Sequence, residues 1–193
     1  ITGDLIDKIA WLPQVCERLT TFAKQIPDGV DFILGNHEYH HDVNKVLDEL
    51  KHNTPMNILV NSNIQIMGGK QPVYIAGVAY DNDREKEKRE AMIDKALSGI
   101  PDYAFVILLA HHPEFFEEAI ERKIPLTLSG HTHGGQIVFM GMPLVPTGTP
   151  YTKGRYVEEQ SVCYVNNGSG HWFPIRINCP REITVITFFD GVA

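Results

Sequence analysis

Cysteine is scarce in this 193-residue chain: Cys16, Cys163 and Cys179 are the only three, and no two form a C-x-x-C pair. So few, so widely spaced, they argue against a disulfide framework and against a cysteine-built zinc knuckle. Long apolar runs are missing too. None approaches the roughly 18 residues that a membrane-spanning helix requires, and no charged-then-apolar signal segment opens the chain. Positive charge is also in short supply. Lysine and arginine number 17 against 24 aspartates and glutamates, a formal net charge of −7, so there is no basic footprint for a nucleic-acid backbone or an anionic bilayer. An anionic ligand must be attracted locally, as bound dications would do. The first residue is Ile1 rather than methionine, and Ile1-Thr2-Gly3-Asp4 reads as the tail of a strand running into a loop. A piece of a longer protein is expected.

What the sequence does have is enough apolar material, 43% of residues, for one domain spanning residues 1–193. Leu12, Val15, Leu19, Phe22 and Ile26 recur at helical spacing until Pro27, Asp28 and Gly29 interrupt. Asp42 is placed to cap a second helix with Val43, Val46, Leu47 and Leu50 on one face. A third opens in the polar stretch from Arg84 to Lys88, packs through Met92, Ile93, Ala96 and Leu97, and stops at Gly99. Phe115 to Ile120 gives a fourth. Strands are expected at Val30–Leu34, Asn57–Val60, Ile64–Met67, Val73–Ala79, Ala104–Ala110, Leu126–Leu128, Val162–Val165 and Ile183–Phe188. Helices alternating with strands, followed by mainly strands, describe an α/β sandwich of two central mixed β-sheets flanked by helices. Trp11 and Trp172 are expected to pack.

Four polar clusters interrupt this scaffold, each just after a segment read as strand: Gly3-Asp4-Leu5-Ile6-Asp7, Gly35-Asn36-His37-Glu38, His111-His112-Pro113 and Gly130-His131-Thr132-His133. Strand ends are where ligand sites collect in open α/β sheets. A carboxylate from Asp4, an amide oxygen from Asn36 and imidazoles from His111, His131 and His133 form a mixed nitrogen and oxygen set that suits Mn, Fe or Zn better than Ca or Mg. Any one of these residues alone would be read as a turn carboxylate, a loop amide or a core histidine. Four clusters in order make a metal site the better reading.

The series G-D-x-x-D, G-N-H-E, H-x-P and G-H-T-H resembles the calcineurin-like metallophosphoesterases over nearly the whole chain. A less specific likeness, through Gly168-Ser169-Gly170, Pro174-Ile175-Arg176 and Pro180-Arg181-Glu182-Ile183, is to a bacterial branch that includes cell-envelope and membrane-anchored phosphohydrolases. The resemblance implies a dinuclear centre of divalent ions. Asp4 would bridge the two, Asn36, His111 and His131 would complete one, and His133 would bind the other. His37 would protonate the leaving oxygen of a phosphate ester, mono- or diester, attacked by a metal-bound hydroxide. That family's opening Asp-x-His motif has no counterpart before Gly3. We therefore expect a calcineurin-like fold lacking its N-terminal strand region, with one ion held through Asp4, Asn36, His111 and His131 and a weak or empty site at His133.

Two other readings compete. A fold that keeps part of the site without catalysis is one. The other is a zinc peptidase, because His37-Glu38-Tyr39-His40-His41 matches H-E-x-x-H. That pattern works on a helix, whereas His37 is expected in a turn after a strand. Asp7 is expected to order its loop as a hydrogen-bond acceptor, Glu38 to orient a neighbour, and His40, His41, His52 and His112 to lie at the surface or behind the ligands. Arg176 and His171 are read as structural hydrogen-bonding residues, and the Gly- and Pro-rich loops from Met140 to Tyr156 as the place for selectivity.

Overall fold

Alternating side-chain direction along a few short strands sorts the side chains into layers. In the computed structural model, which describes residues 1–66, 71–80, 85–171 and 173–189, β1 (Asp31–Phe32) and β2 (Asn57–Ile58) pair in parallel. Ile1 lies beside β1: its amino group donates to the Asp31 carbonyl at 2.7 Å and its own carbonyl accepts from the Ile33 N–H at 3.1 Å. The second sheet has six strands in the order β3 (Ser62–Ile66), β4 (Val73–Gly77), β5 (Phe105–Leu109), β6 (Leu126–Ser129), β10 (Ser161–Val165) and β9 (Gly154–Glu158). Its centre, β4 through β6 to β10, is parallel, and its two outer strands, β3 and β9, are antiparallel to their neighbours.

Successive side chains of a strand point to opposite faces. Val106, Leu108 and Ala110 therefore meet α4 (Lys86–Leu97) and α5 (Phe115–Glu121) in one core cluster, with Ile93, Ala96 and Phe116. Ile107 and Leu109 face the other way and pack between the sheets against Ile33 and Leu59. Phe32 and Leu34, the neighbours of Ile33, turn to α1 (Leu12–Ala23) and α3 (Val43–Asn53), joining Leu12, Cys16, Val46 and Leu50. The result is helix, sheet, sheet, helix. The sheets approach so closely that a Cβ on Gly77 would overlap Leu59 and come within 2.6 Å of Ile33.

Local chemistry explains the helix ends. Pro13 occupies the first turn of α1, where a missing N–H is harmless, and the Asp42 carboxylate caps α3 by accepting from Asn44 and Lys45. All three cysteines are free and buried.

Several expectations need correction. Ile183–Phe188 forms no strand: Ile183, Val185 and Phe188 are exposed, and side chains anchor the segment instead. The Tyr164 hydroxyl donates to Glu182, Asn166 to Thr184 at 2.7 Å, and Phe188 sets its ring edge-on to Phe105. A β-branched and aromatic composition marks a segment suited to a sheet, but a strand needs an edge with which to exchange hydrogen bonds. Trp11 is more than half exposed, with Lys8 over its ring, and Phe22 is half exposed because it falls off the buried stripe of α1. Just past the polar run that opens α4, Arg89 pairs at 2.7 Å with the fully buried Glu118. Met67, Arg84 and Trp172 lie outside the described residues. Not read from the sequence were β9, a polar edge strand, and the hairpin of β7 (Val138–Phe139) and β8 (Met142–Pro143).

Leu108 is fully buried between β5 and the α4–α5 layer. Leu108→Ala should cost about 2–5 kcal/mol of stability, read as a lower urea midpoint at unchanged slope; an unchanged midpoint would contradict this packing.

Candidate metal centre

The register of the parallel strands brings the four clusters to one end of the sandwich. Leu109 pairs with Leu128, and two residues further on the Gly130 N–H donates to the His111 carbonyl at 3.1 Å. His111 and His131 therefore leave adjacent strand ends side by side. β1 delivers Gly35 and Asn36 from the other sheet, and Thr2 beside it delivers Gly3 and Asp4. The two loops touch. A Cβ on Gly3 would come within 2.6 Å of the Gly35 nitrogen and 2.7 Å of the His111 ring, so only glycine permits the approach.

One carboxylate joins these loops. Glu38, fully buried in the four-residue helix α2 (Asn36–Tyr39), accepts at Oε2 from the Gly35 and Asp4 N–H groups (2.6 and 3.0 Å) and at Oε1 from Leu5 and Ile6 (2.6 and 3.0 Å). It bonds back to the residue preceding its own helix as a capping-box glutamate does, and across to the Asp4 loop as well. Burial pushes its carboxyl above the ordinary value, against the pull of these donors. His37 thus sits in a short helix, not in the expected turn. The peptidase reading still fails, because the glutamate it needs as a base is spent on four backbone donors, and His41 lies beyond the helix, its Nε2 3.0 Å from the Asp7 carbonyl.

At the centre four donor atoms crowd together. The Asn36 Oδ1 lies 3.0 Å from His111 Nε2 and 2.9 Å from His131 Nδ1; His131 Nδ1 is 3.2 Å from His111 Nε2; and His111 Nε2 is 3.2 Å from Asp4 Oδ2. Because the Thr2 carbonyl only accepts, the His111 Nδ1 2.6 Å away carries a proton. In the neutral ring, Nε2 then aims a lone pair at a carboxylate. A proton or a cation must lie between them. Donors about 2.0–2.2 Å from one ion are separated by about 3 Å along the edges of a six-coordinate shell, which is the spacing found. The donor set therefore fits a divalent ion.

The electrostatics agree. Burial would raise the Asp4 carboxyl, but its bond to His111, that ring's charge and the His37 amide (3.0 Å to Oδ1) hold it well below the usual carboxylate range. For His111, burial acts downward, but the Asp4 carboxylate outweighs it and the ring sits above its ordinary value. Burial, with help from the charges of His112 and His111, pushes His131 down to about 3. His133 falls to about 4 through burial and the nearby Arg176, so both rings are neutral, with a lone pair free for a cation, near neutral pH. Asp4, His131 and His133 all have φ in the left-handed region (+57°, +66° and +52°), the kind of strain that collects at functional sites.

Asp4, Asn36, His37, His131 and His133 line one open cleft of about 300 Å³, with Val145, Pro146 and Thr147 on its far wall. Of the Met140–Tyr156 loops, Val145, Pro146 and Thr147 thus reach the site. His133 stands apart from the four-donor group: its Nδ1 is buried with no hydrogen-bond partner among the described residues. Arg176 is structural, donating to the carbonyls of Gly170, His133, Asn167 and Cys179. His112 also brings a ring nitrogen within 4.8 Å of those of His111 and His131. It stacks on His131 at 3.8 Å and 24°, so the in-plane lone pairs of the two rings run nearly parallel and do not converge on one ion. Asp7 was the residue most undervalued, since its carboxylate lies 3.1 Å from the His37 Nδ1; the three-residue step from Asp4 was its sequence signal.

Residues 1–135 match the family model described as calcineurin-like phosphoesterase. An uncharacterized metallophosphoesterase of Campylobacter jejuni is 36% identical over 96% of this chain and 49% of its own length. A transmembrane protein with metallophosphoesterase domain from Danio rerio is 31% identical over 96% of this chain and 44% of its own. Among solved structures, a putative 5'-nucleotidase from Staphylococcus aureus superposes with a TM-score of 0.52 at 11% identity, over 80% of this chain and 34% of that one. The chain belongs to the calcineurin-like phosphoesterase family. It spans about half the length of the first two relatives.

Two predictions follow the geometry. Glu38→Gln turns an NH₂ group toward two of the four backbone N–H donors and should cost about 3 kcal/mol, seen as a lower denaturant midpoint; a midpoint like the parent's would sink the bridging role. Metal uptake should depend on pH through His111, whose raised value means a proton must leave before a cation enters. Mn²⁺ affinity should therefore rise with pH through and above about 6.5, while His131 and His133, already neutral, add no dependence between about pH 6 and 8. Calorimetry in buffers of different ionisation heat would show about one proton released per ion near pH 6.5, and a pH-independent affinity would refute the assignment.

Proposed function

We propose that this chain hydrolyses phosphomonoesters or phosphodiesters at the cleft, with Asp4, Asn36, His111 and His131 holding a divalent cation and Asp4 with His133 holding a second, more weakly. The observation that carries this reading is the crowding of four donor atoms, one each from Asp4, Asn36, His111 and His131, at separations of 2.9–3.2 Å. Family membership supports the same chemistry. Divalent ions bound there supply charge neutralisation for phosphoryl oxygens and an activated water.

The chain's own residues do the rest. Glu38 and the paired glycines hold Asp4 and Asn36 in place before any ligand arrives, so no reorganisation is needed during the reaction. The depressed His131 and His133 present lone pairs without first shedding protons. Asp7 fixes the His37 ring through Nδ1, and Nε2, 4.0 Å from Asp4 Oδ2, faces the cleft. From there it can give a proton to the departing ester oxygen. His133 stands outside the four crowded donor atoms, its buried Nδ1 without a hydrogen-bond partner among the described residues. The preference for one tight ion rests on this.

The test is hydrolysis of bis-p-nitrophenyl phosphate with added Mn²⁺, beside elemental analysis. Turnover should require the metal, vanish with EDTA, and drop about 10²–10⁴-fold in His37→Ala, with about one ion retained per chain. Turnover indifferent to chelator or to His37→Ala would defeat the proposal.

A further inference from the structure

The outer wall of the cleft continues into a feature the chemistry does not use. Gly135 and Val145–Thr147 both line the cleft, and between them the chain leaves the fold as the β7–β8 hairpin, closed at its base by the Leu144 N–H donating to the Ile137 carbonyl at 2.8 Å. Val138 faces inward and is buried. Beyond it, Phe139 is 62% exposed, Met140 83%, Met142 67% and Leu144 63%. Residues 134–152 contain no Lys, Arg, His, Asp or Glu.

The turn itself is unusual in composition. Met140 and Gly141 connect the two strands with φ of +49° and +83°, both positive as a type I′ connection requires. Asn, Asp or Gly is preferred at the first of these positions. A long apolar side chain stands there instead, in left-handed backbone and largely exposed to solvent. Folding gains nothing from Met140 at this site.

Size decides between occupants. Four large side chains exposed to this degree present on the order of 500 Å², short of the roughly 800 Å² that each partner gives to a stable protein–protein interface. Reach fits a bilayer better. Two residues per strand at about 3.4 Å each carry the tip about 7 Å out, within the roughly 5–10 Å to which interfacial segments sink.

We propose that this hairpin inserts into the interfacial zone of a phospholipid bilayer, seating the cleft against phosphoesters held at that surface. The insertion stands on the hairpin alone; the presentation of substrate rests on the phosphoesterase reading. The net charge of −7 directs the contact to uncharged lipid, with apolar side chains as the adhesive.

The experiment is co-sedimentation of the chain with phosphatidylcholine vesicles in about 0.5 M salt, where charge attraction is screened. The parent should sediment with the vesicles. Met140→Asn installs a side chain the turn prefers, so the fold should be kept while bound protein falls roughly tenfold. Phe139→Ser combined with Met142→Ser should abolish binding. Each variant should keep the parent's turnover of bis-p-nitrophenyl phosphate. A parent that stays in the supernatant, or variants that bind as well as the parent, would overturn the proposal, as would light scattering showing a dimer that Met140→Asn dissolves, which would assign the tip to a second copy. Vesicle binding without turnover supports insertion while removing the phosphoesterase reading, and turnover without vesicle binding does the reverse.

Discussion

The acceptance of four backbone N–H groups by the buried Glu38 carboxylate is the constraint on which the rest of the site depends. Two donors lie on the Asp4 loop beyond Asp4 itself, one is Asp4, and one is Gly35. Loops otherwise tolerate insertion and drift. Here a charge removed from water leaves no alternative partners, so both loops take one arrangement or the carboxylate is stranded, and a stranded buried charge costs several kcal/mol. Gly3 and Gly35 make this possible by leaving space where side chains would collide. The side-chain oxygens of Asp4 and Asn36 inherit their positions from a carboxylate that stands outside the group of four crowded donors.

From that fixed frame the electrostatic problem of the centre follows. His111 donates to Thr2 on one side and so meets Asp4 with a lone pair on the other. Three of the proposed ligands also sit in left-handed backbone. Without a cation the arrangement persists because the surrounding layers over-determine it and because a proton on His111 can stand in. The same four residues would hold a divalent cation in place of that proton, which would relieve the facing lone pairs.

Much of this was legible in the sequence, for identifiable reasons. Runs such as Ala104–Ala110 are readable because a strand buried on both faces must be apolar throughout, and α3 because Asp42 caps it with a helical stripe behind. The ligand clusters were legible because glycine beside carboxylate, amide or imidazole is rarely needed for packing alone. What escaped depended on partners distant in the chain. Ile183–Phe188 has the β-branched and aromatic composition of a strand, yet its side chains are tied to Asn166 and Phe105 while its backbone joins no sheet among the described residues. β9 is polar because it is an edge, and edges protect themselves with charge. Glu38 looked like a helper to one neighbour because nothing local reveals that the Asp4 loop, more than thirty residues earlier, turns its amides toward it.

The layered architecture adds a last consequence. Asp4 and Asn36 hang from the small sheet, His111 and His131 from the large one, and the apolar layer of Ile33, Leu59, Ile107 and Leu109 is what keeps the two in register. The candidate metal centre is therefore a joint between sheets rather than a feature of either. An ion bound by both sides would resist sliding of one sheet over the other, and packing that holds the sheets would in turn tighten the ion, since each stabilises the state in which the other is satisfied. The cleft opens along this same joint. Its far wall, by contrast, belongs to a segment that contributes neither strand nor helix to either core, which leaves that wall free to carry side chains chosen for what lies outside the protein.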